Sequence, residues 1–107
     1  MAILVYNSRM SMTIKNVRDW GREKGINDAK AQYCKMIEEC GELAHEITRD
    51  STNSKATEDA IGDIYVCLII LSDILGYDVD DCLKLAWREI KNRKGVTVNG
   101  NFIKDNQ

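Results

Sequence analysis

Apolar residues in the middle of this chain recur at steps of three and four. Tyr33, Met36, Ile37, Cys40, Leu43, Ala44 and Ile47 share one face of a helix turning about 100° per residue, so the segment reads as amphipathic. Asn27 or Asp28 supplies its N-cap, and it reaches about Arg49. A different pattern follows. Ile64-Tyr-Val-Cys-Leu-Ile-Ile-Leu71 is apolar all round, within a segment predicted helical from about Lys55 to Leu75 and stopped at Gly76. A helix greasy on every side is either central or lies at a subunit contact. A first helix is predicted over about Thr13–Lys24, with Ser11 or Thr13 as N-cap and Gly25 as terminator. A fourth opens at Asp78 or Asp80 and ends near Lys94-Gly95. Residues 1–11 carry no clear period and are expected to be loosely held, and Asp50 to Ser54 reads as a polar loop. The tail Val96-Thr-Val-Asn-Gly-Asn-Phe-Ile103 contains Asn99-Gly100 between strand-prone residues, the signal of a tight hairpin. The pattern predicts an all-α four-helix bundle with a small C-terminal β-hairpin. It is one domain over 1–107, with a core over about 13–95 and a hairpin tail over 96–104.

Length and charge narrow the function classes. At 107 residues the chain has room for one thin core, which oligomerisation would supplement. The expected assembly is a homodimer or a dimer of dimers, with sites near subunit contacts. A formal charge of −2 gives no general reason to expect nucleic acid or an anionic membrane as partner. Neither a signal-peptide pattern nor a bilayer-length apolar run is present, so a cytoplasmic protein is expected. Cys34, Cys40, Cys67 and Cys82 are scattered without a Cys-x-x-Cys pair and read as small buried hydrophobes in a reducing compartment.

Carboxylates carry the chemistry. Glu39, Glu42 and Glu46 line up beside the apolar stripe of the second helix, with Glu39 closest to it and Glu38 on the outer side of the cluster. Asp59 and Asp63 are four apart, hence stacked, and Asp63 directly precedes the apolar run. A carboxylate drawn into apolar surroundings needs a partner, a proton or a metal. Two helices that each offer carboxylates one turn apart can hold a hard cation such as Mg²⁺, which takes oxygen ligands and binds phosphates. The same glutamates also fit a wet helix face supported by Lys35–Glu39 spacing, and Asp59 fits a dipole-favoured position near a helix N-terminus.

The ordered set Glu38-Glu39-Cys-Gly-Glu42-Leu-Ala, then Asp59-Ala-Ile-Gly62-Asp63 and an apolar helix, resembles the MazG-like family of all-α nucleoside triphosphate pyrophosphohydrolases. The tail Glu89-Ile-Lys-Asn-Arg-Lys-Gly95 with Asn99-Gly100-Asn-Phe102 resembles its short, single-domain branch. The resemblance covers roughly residues 13–105. It implies hydrolysis of a nucleoside or deoxynucleoside triphosphate to a monophosphate and pyrophosphate with Mg²⁺ or Mn²⁺. Glu39, Glu42 and Asp63 match the family's metal-binding carboxylates, and Glu38 matches the first acidic residue of its motif, a candidate to orient or deprotonate the attacking water. The family's fourth acid falls at Ala60 in this chain, and Asp59, one residue earlier, is the candidate replacement.

Lys91, Arg93 and Lys94 are candidate contacts for the β and γ phosphates, or cations that favour a helix C-terminus. Asn92 lies in the segment that the family uses near the phosphates. Trp20 is a candidate for stacking on a base, or a core residue of the first helix. Gly41 and Gly62 would be justified by close helix approach. Two other functions fit the same residues: a nucleotide or metal sensor with a degenerate site, and a helical protein-interaction module.

Overall fold

The computed structural model describes residues 2–49 and 54–105. Helices α1 (Ala2–Glu23), α2 (Ala29–Thr48), α3 (Ser54–Ile74) and α4 (Val79–Ile90) precede strands β1 (Gly95–Val98) and β2 (Asn101–Lys104). The all-α architecture with a terminal hairpin is the one the pattern predicts. The expected polar loop lies, apart from Ser54, outside the described residues.

Capping chemistry sets several boundaries. Asp28 is the N-cap of α2, its carboxylate accepting the Ala31 N–H, and Asp78 caps α4 by accepting from the Asp80 and Asp81 N–H groups. Glycines close α1 and α3 in the left-handed region, Gly25 at φ 73° and Gly76 at φ 85°. Asn99 and Gly100 both take positive φ, the requirement of a two-residue hairpin turn. The strands pair Val96 with Ile103 and Val98 with Asn101.

Two boundaries differ from expectation. Helix α1 begins at Ala2, not near Thr13. No proline or glycine interrupts the chain before Gly21, and a helix needs no apolar period to continue. At the other end α4 stops at Ile90, before Lys94. The Arg93 N–H turns back to the Ile90 carbonyl at 2.9 Å, and the Lys94 carbonyl accepts the Asp105 N–H at 2.9 Å. The second bond closes the base of the hairpin.

Helix α3 is the centre. It touches α1, α2 and α4, whereas among the described residues the hairpin touches no helix. The buried apolar core is Ala60, Cys67, Ile69 and Ile70, all on α3. Helices α2 and α3 form an antiparallel hairpin, with the Gln32 amide donating to the Cys67 carbonyl at 3.4 Å. Helix α1 docks through Gly21, where an added Cβ would lie 3.0 Å from Ile70 Cγ1. One residue on, Arg22 donates to Asp73 from Nε at 2.9 Å and from NH2 at 2.6 Å. This bidentate contact holds the Asp73 carboxyl below its usual range and raises the Arg22 guanidinium.

Burial departs from the amphipathic pattern on α2. Of the α2 stripe, Met36 and Leu43 are half-buried, while Tyr33, Ile37, Cys40, Ala44 and Ile47 are exposed. Among the cysteines only Cys67 is buried; Cys34, Cys40 and Cys82 are exposed. The expectation of buried cysteines therefore holds for one position, because Cys34, Cys40 and Cys82 lie on faces that no element covers among the described residues. The radius of gyration is 16.8 Å, against about 13 Å for a compact chain of this length.

Candidate active site

Because α2 and α3 run antiparallel, side chains at steps of three and four on each helix face one another across a groove. Glu38, Gly41, Glu42, His45 and Glu46 form one wall, and Ala56, Asp59, Ala60 and Asp63 the other. The groove is open and measures about 570 Å³. Five carboxylates therefore border one space, from two helices, with His45 among them.

Their partners are unequal. Lys55 donates to Asp59 at 3.1 Å, and Arg49 donates to Glu46 at 3.3 Å. Glu38 lies 3.9 Å from the Lys35 ammonium. Glu42 and Asp63 have no ion-pair partner among the described residues. Glu46, outside the set that the motif resemblance singles out, is half-buried, and its Oε2 is buried without a hydrogen-bond partner. The signal was present in the spacing, since Glu38, Glu42 and Glu46 repeat at i,i+4.

Glu39 does not line the groove. It points inward on α2 and is only 7% exposed. Lys35 donates to its Oε1 at 3.2 Å, while Oε2 is buried with no partner. The pair raises the Lys35 ammonium, chiefly through the hydrogen bond from Lys35 to Glu39. On the α3 side the Cys67 thiol is pushed up by burial first, then by the charge of Glu39, with a smaller contribution from Asp63. Glu39 and Asp63 thus act on one buried thiol from the two facing helices.

Position 60 explains what the departure at Ala60 does. Ala60 is buried at 5% exposure and lines the groove. Asp59 also borders the groove, but its side chain is 57% exposed and held by Lys55. An acid at 60 would face inward, whereas the acid at 59 stands at the rim. Gly41 and Gly62 do not serve close helix approach, since a Cβ at either would meet nothing within 4 Å. At Gly41 the missing side chain keeps the groove wall open.

The remaining candidates lie elsewhere in the chain. Lys91 is the C-cap of α4. Asn92, Arg93 and Lys94 line a separate cleft with Lys104 and Asp105. Trp20 sits in a shallow apolar cleft with Asn16, Val17 and Val66. The structure brings Glu38, Glu42, Asp59 and Asp63 together, sets Glu39 behind them, and does not bring Trp20 or the basic cluster to the groove. Gln32 is buried and spent on the Cys67 carbonyl.

The donor chemistry suits a hard divalent cation: every groove acid offers carboxylate oxygen, and Glu39 Oε2 is a buried acceptor with nothing to accept from. Among the described residues, however, no three His, Cys, Asp or Glu side chains converge closely enough to hold a metal ion as they stand. Among these residues, too, no single helix is long and apolar enough to cross a membrane. No family model matches the chain, and no curated protein or solved structure matches it.

Proposed function

We propose that this chain is a Mg²⁺-dependent nucleoside triphosphate pyrophosphohydrolase, releasing a monophosphate and pyrophosphate, with Mn²⁺ as an alternative ion. The observation that carries the reading is the pair of facing carboxylate rows, in which Glu42 and Asp63 have no cationic partner among the described residues, with Glu39 behind them keeping an orphaned oxygen. Carboxylates that converge repel one another, and a cation between them relieves that cost. The motif order shared with the MazG-like family supports the same assignment.

In this reading Glu42 and Asp63 would hold the ion from the groove walls and Glu39 from behind them, with Asp59 as a fourth acid if it left Lys55. An ion held there would supply neutralisation of phosphate oxygens and a more acidic water. Glu38, at the solvent-facing rim, orients that water or takes its proton for attack at the α phosphorus. The open wall at Gly41 leaves room for the triphosphate. Lys91, Asn92, Arg93, Lys94 and Trp20 do not border the groove of their own chain, so no step at the α phosphorus is assigned to them here.

A second reading, a nucleotide or metal sensor without turnover, draws on Ala60 and on the absence of a converged ligand trio among the described residues. A panel of nucleoside and deoxynucleoside triphosphates, incubated with Mg²⁺ or Mn²⁺ and assayed for pyrophosphate, separates the two. Pyrophosphate release lost in Glu42→Gln and Asp63→Asn supports the enzyme. Calorimetric binding of a nucleotide without release favours the sensor.

A further inference from the structure

Among the described residues Glu39 is the one buried carboxylate. Burial penalises its charge unless a cation or hydrogen-bond donors face it. Only half of that need is met. Lys35 Nζ lies 3.2 Å from Oε1, while Oε2 is buried with no hydrogen-bond partner among the described residues.

A structural pair in the same chain is built differently. Arg22 reaches both oxygens of Asp73, with Nε at 2.9 Å and NH2 at 2.6 Å. A guanidinium fork satisfies a carboxylate on both sides, whereas an ammonium is a point charge on a flexible stem. Three features make the Lys35 contact easy to undo. The lysine side chain is 55% exposed, so its ammonium already reaches water. Lysine precedes glutamate at i,i+4, the weaker of the two orders on a helix. A second acceptor is within reach, since Glu38 Oε2 lies 3.9 Å from the same nitrogen. Lys55 and Asp59 repeat the spacing on α3, but both side chains stand in solvent, where such a pair contributes little. Burial of the acid singles out Lys35.

We propose, on the ion-binding reading above, that Lys35 is a displaceable counterion: a divalent cation takes its place on Glu39, and the ammonium moves to Glu38. Before loading, Lys35 keeps the buried carboxylate charged and in position. Ion affinity is then set by the competition of two cations for one carboxylate. Lysine suits this role because it leaves Oε2 open, whereas an arginine fork would occupy both oxygens. Lys35 is thus a positioning residue that acts through Glu39.

Mn²⁺ binding to the full chain, followed by the electron paramagnetic resonance signal of the free ion, tests this. Lys35→Met binds Mn²⁺ about threefold to tenfold more tightly than wild type. Lys35→Arg binds it more weakly by a similar factor. Lys30→Met removes the same charge from the same helix without touching Glu39 and stays within about twofold of wild type. Thermal melts give a second readout. Without metal Lys35→Met melts below wild type, and saturating Mn²⁺ narrows the gap, because the tighter-bound ion stabilises the variant more. Equal or weaker Mn²⁺ binding by Lys35→Met, an equal gain in Lys30→Met, or a gap that persists at saturation overturns the exchange. Should Lys35→Met fail to fold, Lys35→Arg decides alone, and an affinity equal to that of wild type overturns it. Wild-type affinity in both Lys35 variants, with pyrophosphate still released, sinks the exchange and leaves the reaction standing. No Mn²⁺ bound by wild type sinks both.

Discussion

Replacing Glu39 with methionine stabilises the metal-free protein. The side chain is 9% exposed, and its Oε2 is buried with no hydrogen-bond partner. An unsatisfied buried acceptor costs about 1–3 kcal/mol, more when charged. Exchanging a buried charge for an apolar side chain of similar volume is often stabilising by about 1–4 kcal/mol. What Glu39→Met loses is the Lys35 contact, whose ammonium stands in solvent and is screened. The balance favours the variant by about 1–2 kcal/mol, taking the lower half of that range because Oε1 is already paired. For a domain of this size each kcal/mol moves Tm by about 4–8 °C. Thermal melts followed by circular dichroism, at fixed protein concentration with a chelator present, read this directly. Added Mg²⁺ then raises the Tm of wild type, since a ligand that binds only the folded state stabilises it, and raises that of Glu39→Met much less. A lower Tm for the metal-free variant, or an undiminished Mg²⁺ shift, refutes the view that Glu39 is a destabilising residue kept for a cation.

The glycines separate packing from function. Gly21→Ala gains about 1 kcal/mol of helix propensity but drives a methyl group against the buried Ile70, for which overpacking costs about 1–3 kcal/mol, so urea unfolding shows a net loss of about 1 kcal/mol. Gly41→Ala meets nothing within 4 Å, so it stabilises by up to about 1 kcal/mol while narrowing the groove and lowering pyrophosphate release. The Arg22–Asp73 contact depresses the folded-state pKa of Asp73. Its contribution is therefore fully present above the unfolded carboxylate value of about 3.9 and is lost as pH falls through the lower folded value. Urea midpoints of wild type drop over that acidic window, and Asp73→Asn removes this component. Asp78→Ala deletes the cap of α4 and costs about 1 kcal/mol, measured by the same unfolding.

Most of the fold was legible because its signals are local. Asp28 and Asp78 cap where their positions predict, Gly25 and Gly76 end helices through positive φ, and Asn99-Gly100 turns the hairpin. The apolar run of α3 announced the central helix, since a segment greasy on all sides has to be covered. What escaped was set by tertiary contacts or by faces left uncovered. No periodicity marks residues 2–11 as helical, and no local signal ends α4 at Ile90, where the Arg93 N–H turns back to the Ile90 carbonyl. The site was legible in part for the same reason. Helix geometry brings Glu38, Glu42, Asp59 and Asp63 to one groove, because i,i+4 spacing survives any packing. Which side of α2 faces α3 depends on the interhelical contact. That contact turned Glu39 inward, left most of the apolar stripe exposed and brought Glu46 to the groove. Trp20 and the Lys91–Lys94 cluster sit on elements whose position relative to the groove no local pattern encodes.

Hydrolysis of triphosphates in the acidic groove with a divalent cation is read out by pyrophosphate release. Purified wild type, given a panel of nucleoside and deoxynucleoside triphosphates with Mg²⁺ or Mn²⁺, is expected to release pyrophosphate and the matching monophosphate from at least one substrate. Chelation abolishes this release, as do Glu42→Gln and Asp63→Asn at unchanged helicity. No release from any substrate with either ion, or release that survives both substitutions, contradicts the account.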